Sequence, residues 1–116
     1  GNPLACAAAA ATLQILHDEQ LVARAAAAGR RFGAALADLA ARHPGRIVAV
    51  RGRGLLCGLQ LAADCPVAGA VAALRDQGVL VTAAGDNVLR LTPPLNTPDA
   101  LFDEALTQLE AWAATH

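Results

Sequence analysis

The spacing of apolar residues changes character at Pro44-Gly45, and that break limits the architectures open to the chain. Before it, Leu21, Ala25, Ala28, Phe32, Leu36 and Leu39 recur at helical spacing, as do Leu4, Ala8, Ala11 and Ile15 further upstream. Asn2-Pro3 supplies a cap and a first-turn proline for the first helix, and Asp18 reads as a cap for a second one beginning at Glu19-Gln20-Leu21. After the break the apolar runs shorten. Ile47 to Val50 predicts a strand, Arg51-Gly52-Arg53-Gly54 a tight connection, and Leu55 to Leu61 a second strand. Pro66 opens a helix running to about Gln77, stopped by Gly78. Val79-Leu80-Val81 predicts a third strand, Gly85-Asp86-Asn87 a turn, and Val88 to Leu91 a fourth strand ended by Pro93-Pro94. Thr97-Pro98-Asp99 starts a last helix whose apolar face is Leu101, Ala105, Leu109 and Trp112, joined by Phe102 and Leu106. The order is ααββαββα. It predicts an α+β fold: a small, mostly antiparallel four-stranded sheet with helices packed on one face.

At 116 residues the chain is one domain's worth of protein. Its three aromatics are Phe32, Phe102 and Trp112, so the core must be built from Leu, Val, Ile and Ala with helices in close contact. Gly29 and Gly33 lie within the second helix's stripe, where they cost helix propensity and let another backbone come near. Residues 1–17 carry no charge, but Thr12, Gln14 and a preponderance of alanine keep them short of the roughly 20 strongly apolar residues of a membrane span. They also lack the basic start of a signal peptide, and a cytoplasmic protein with no membrane partner is expected.

Charge and nucleophile content exclude further classes. The nine basic residues are all arginine, scattered along a chain of net charge -1 with no interleaved aromatics, so no nucleic-acid partner is expected. The absence of lysine means that this chain cannot form an internal Schiff base to a carbonyl cofactor. Cys6, Cys57 and Cys65 are odd in number and form no C-x-x-C pair, which suggests a reducing compartment and no zinc site. His17, His43 and His116 lie far apart without ligand spacing, and no metal is expected. Cys57 falls in an apolar run where a buried structural thiol is the default. Gly52, Gly54 and Gly58 give G-x-G-x-x-x-G, one residue too long for a dinucleotide fingerprint and followed by a strand rather than a helix. They are read as glycines permitting a bend between strands.

Arg90 stands out. In Val88-Leu89-Arg90-Leu91, alternation puts Leu89 and Leu91 on one face and Arg90 on the other, where a partner domain could sit. A guanidinium there can clamp a carboxylate through two parallel hydrogen bonds. The competing reading is a surface arginine paired with Asp86 or with solvent.

Three segments resemble the class III, pyridoxal-phosphate-dependent aminotransferases. Gly1-Asn2-Pro3-Leu4-Ala5 is similar to the family's G-N-P-L-A segment, which opens the helix leading into the small domain. Arg51-Gly52-Arg53-Gly54-Leu55-Leu56-Cys57-Gly58 is similar to R-G-x-G-L-x-x-G, and Asn87 to Leu95 to N-V-L-R-x-x-P-P-L. The last block fits the acetylornithine branch best. The resemblance implies that residues 1–116 are the C-terminal small domain, with residues 1–17 the connecting helix from a large domain of the same polypeptide. It further implies a cytoplasmic homodimer that transfers the terminal amino group of N-acetylornithine to 2-oxoglutarate in arginine biosynthesis. Arg90 corresponds to the family arginine near the substrate carboxylate, which in some members is masked by a glutamate of the large domain. The Schiff-base lysine and the phosphate-binding threonine would lie upstream. No catalytic or cofactor-binding residue is therefore expected in these 116 residues, and no pyridoxal phosphate bound to them alone. The start on a helix cap without Met is read as excision from a longer chain. Two alternatives stay open: another class III aminotransferase acting on ornithine, succinylornithine or 4-aminobutyrate, and a free-standing α+β interaction module.

Overall fold

The computed structural model describes residues 1–115, so His116 lies outside the described residues. Eight elements follow the expected order: α1 (Pro3–Asp18), α2 (Leu21–Arg42), β1 (Ile47–Arg53), β2 (Leu56–Leu61), α3 (Val67–Asp76), β3 (Thr82–Ala84), β4 (Val88–Leu91) and α4 (Asp99–Ala113). The strands form one antiparallel sheet in the order β1-β2-β4-β3. Helices α2, α3 and α4 cover one face. Leu59, Leu89, Leu61 and Ile47 from the sheet meet Leu36, Leu39, Leu74 and Leu109 from the helices, all at most 2% exposed. Phe32 and Phe102 pack with rings tilted 53° and centroids 5.0 Å apart between α2 and α4.

The second-helix stripe predicted from spacing is buried except for Ala25, which is half-buried. Gly29 has the packing role expected of it. A Cβ there would lie 2.5 Å from the backbone of Gly54, so α2 rests directly on the β1–β2 turn. Gly33 has no such neighbour. The turn itself is tighter and later than Arg51–Gly54. Arg53 pairs with Leu56, so only Gly54 and Leu55 connect the strands, with Gly54 at φ 58 as a two-residue hairpin favours. Arg51 and Arg53 consequently belong to β1. Between Ile47 and Ala49 a bulge shifts the register of that strand.

Three further local expectations are corrected. Asp18 does not cap α2: it ends α1, and its carboxylate accepts a hydrogen bond from Gln14 Nε2 one turn back at 2.8 Å. The helices part at Gln20 in the left-handed region (φ 49), with no side-chain cap on α2. The third strand is Thr82–Ala84, not 79–81, because the turn registers Ala84 with Val88 and Thr82 with Arg90. A strand over 79–81 would have to pair with residues 91–93, and Pro93 has no N–H to give the ladder. Gly78 at φ 85 instead closes α3, and the Val79 amide donates back to the Leu74 carbonyl at 2.8 Å. Leu101, expected on the buried face of α4, is 52% exposed.

Helix α1 differs from the rest. Asn2 caps it as expected, accepting from the amides of Leu4 and Ala5, yet none of its residues is buried, and Leu4 and Leu13 are 80% and 67% exposed. At the far end of α2, Arg42 and His43 both reach Glu110 of α4, at 2.7 and 2.6 Å. These hydrogen bonds, that from Arg42 foremost, hold the Glu110 carboxyl below the ordinary glutamate range.

Candidate functional site

The helix-free face of the sheet presents the positions that alternate with the core residues: Ala49, Arg51 and Arg53 on β1, Leu56, Gly58 and Gln60 on β2, Val88 and Arg90 on β4, and Thr82 and Ala84 on β3. Register lines up one row across all four strands, Arg51–Gly58–Arg90–Thr82. Arg90 is exposed, as the alternation in Val88–Leu91 predicted, while Leu89 and Leu91 are buried against the helices. Its Nε donates to the Thr82 hydroxyl directly opposite, at 3.1 Å. That bond occupies the side of the guanidinium nearest the stem and leaves its two terminal nitrogens without a partner among the described residues. A terminal pair of N–H groups in one plane is the geometry that receives a carboxylate end-on.

The expected rival, Asp86, makes no contact with Arg90 in the hydrogen-bond and ion-pair network. Its carbonyl instead accepts from Gln60 Nε2 at 2.7 Å. Thr82 was missed by spacing, since the third strand was placed three residues too early. The signal available was a β-branched hydroxyl residue two alanines ahead of the Gly85–Asn87 turn.

Asn87 was also missed as more than turn chemistry. At φ 61 it closes the Gly85–Asn87 turn, and its amide ties three segments together. Oδ1 accepts from the first amide of α3, Val67 N, at 2.8 Å. Nδ2 donates to the carbonyls of Ala62, Cys65 and Leu61 at 3.0, 3.1 and 3.3 Å. This junction fixes the start of β4 and hence the height at which Arg90 leaves the sheet.

Cys57 points into the core, and burial pushes its thiol pKa up, away from nucleophilic reactivity. Among the described residues no group of three His, Cys, Asp or Glu could hold a metal ion, and no helix is long and apolar enough to cross a membrane. A mainly apolar groove lies elsewhere, lined by Phe32, Val79, Leu91, Pro94 and Leu101, and does not include Arg90. With no lysine in the chain, no side chain here can form a Schiff base to an aldehyde cofactor.

Comparison with known proteins returns the description "Aminotransferase class-III" for residues 1–112. Acetylornithine aminotransferase from Gloeobacter violaceus is 44% identical over 95% of the chain, and that from a Nostoc species is 39% identical over 99%. In both cases the chain spans 27% of the relative's length, so most of each relative has no counterpart here. Among solved structures, ornithine aminotransferase from Toxoplasma gondii superposes with a TM-score of 0.87 at 32% identity, covering 96% of this chain and 27% of that one. Lysine aminotransferase from M. tuberculosis, in its internal aldimine form, superposes with a TM-score of 0.79 at 31% identity, covering 86% of this chain and 23% of that one.

Proposed function

The chain belongs to the class III aminotransferase family, and from that premise we propose that it is the small-domain part of an acetylornithine aminotransferase. The whole enzyme would move the terminal amino group of N-acetylornithine to 2-oxoglutarate, as a cytoplasmic homodimer serving arginine biosynthesis. Pyridoxal phosphate would be held by a lysine and phosphate-binding groups of the large domain. When bound it supplies an electron sink at the reacting carbon; the residues described here supply none of that chemistry, because no lysine is among them.

What this chain contributes is recognition. Arg90 receives a substrate carboxylate through its terminal nitrogens, while Thr82 fixes the plane of the guanidinium by holding Nε. Fixing that plane in advance reduces the freedom lost on binding and orients the substrate relative to the reaction centre. The observation that carries the reading is this braced, outward-facing fork on the face of the sheet that no helix covers. The acetylornithine branch is supported by the names of the relatives above; the solved neighbours act on ornithine and lysine, so the fold by itself admits several donors.

The test is a donor screen on the longer polypeptide containing this chain, with 2-oxoglutarate as acceptor. N-acetylornithine should give the highest kcat/KM among N-acetylornithine, ornithine, succinylornithine and 4-aminobutyrate. A higher value for another donor would move the protein to that branch. No transfer from any of them would remove the assignment altogether.

A further inference from the structure

The strands carry one sign of charge. All ten acidic residues lie in helices, turns or connecting segments, whereas the strands hold Arg51, Arg53 and Arg90 and no carboxylate. Arg51 stands in the same cross-sheet row as Arg90, separated from it by Gly58, which places no side chain between them. Two strand spacings put their roots about 10 Å apart, so Arg51 sits beside the Arg90 fork and not within it. Among the described residues Arg51 makes no side-chain hydrogen bond and no ion pair. Exposed apolar residues stand near it in the two strands, Leu56 on the same face at 58% and Val48 in the β1 bulge at 57%, together with Arg53 and Gln60.

We propose that Arg51 anchors this face to a carboxylate-bearing, apolar-flanked surface of the remainder of the polypeptide, a role separate from substrate recognition at Arg90. The inference rests on reading the chain as the small-domain part of a longer enzyme. A small free anion could neutralise Arg51 but would leave Leu56 and Val48 in water; a protein surface covers all three. An arginine beside exposed leucine and valine is a combination that protein interfaces favour. A second copy of this chain docking by the same face is disfavoured, because twofold pairing would set arginines against arginines with no acid to separate them. The relatives supply the needed bulk, since nearly three quarters of their length lies outside the matched segment.

The experiment uses the longer polypeptide bearing Ala49→Cys, a thiol two residues from Arg51 on the same face. Its maleimide reaction is followed by peptide mass so that Cys6, Cys57 and Cys65 are counted separately. The thiol should react slowly, and Arg51→Gln should speed it about ten- to a hundredfold, the loss expected for a charge-assisted contact. Arg51→Lys should stay nearer the parent, and Arg75→Gln on α3 should change nothing. Reaction as fast as in urea without any Arg51 change, equal rates in parent and Arg51→Gln, or protection that grows with protein concentration would each overturn the proposal. Labelling needs no substrate turnover. A protected face on an inactive polypeptide would sink the aminotransferase reading alone, and an unprotected face on an active enzyme the docking alone.

Discussion

Arg90 gains its meaning from what it does not touch. Its Nε is held by Thr82 and its terminal nitrogens face outward, so the side chain is ordered yet unspent. Arg90→Lys keeps the charge and loses the fork. In the longer enzyme it should weaken carboxylate recognition by about 1.5–3 kcal/mol, a roughly ten- to hundredfold fall in kcat/KM for 2-oxoglutarate. Stability of the 116-residue chain should change by no more than about 0.5 kcal/mol, as for other exposed positions. Unchanged kinetics with a lowered melting temperature would make Arg90 a structural residue. Alternation alone located this arginine, because a buried leucine on each side fixes which way the middle residue points. Thr82 was not legible in the same manner: its strand is three residues long, and its position is set by the turn at Gly85–Asn87 instead of by its own sequence.

At the level of elements, the junction at Asn87 holds the site in register. One side chain joins the end of β2, the segment leading to α3 and the start of β4, in a backbone conformation that asparagine tolerates and alanine resists. Asn87→Ala should therefore destabilise the chain by about 2–4 kcal/mol in urea unfolding. Asn87→Gly should cost less, since glycine accepts the positive φ and only the amide contacts are lost. An alanine variant as stable as the parent would show that the junction carries no load. The element order and the one-sided helix packing were readable from periodicity, since α2, β2, β4 and α4 each bury a stripe that the sequence displays. The misplaced features share a cause: Asp18, the residues 51–54 and the residues 79–81 were assigned from local composition, while their actual roles depend on partners elsewhere in the chain. Asp18 is engaged by Gln14, Arg51 to Arg53 are drawn into the ladder by Leu56 to Gly58, and residues 79–81 are denied a ladder by Pro93.

The whole molecule is more extended than its length requires. Its radius of gyration is 15.9 Å, against about 13 Å for a compact chain of about this size, and its longest dimension is 49 Å. The excess fits α1, which buries none of its residues while exposing Leu4, Leu13 and Ile15. Together with Leu80 at 85% exposure, this is apolar surface that asks for a cover. On its own the chain should bind an environment-sensitive hydrophobic dye and grow in apparent mass with concentration in sedimentation. A dye-silent monomer across the same range would count against a missing partner surface. Such association should nevertheless remain orderly, for a reason found in the bulge between Ile47 and Ala49. β1 lies at the rim of the sheet, with a row of main-chain groups open to capture by any extended segment. A kinked rim strand carrying two arginines offers a foreign strand neither a flat template nor a neutral one. The aggregates that a naked β-sheet border seeds, fibrils above all, are thereby discouraged at the one long border this sheet possesses.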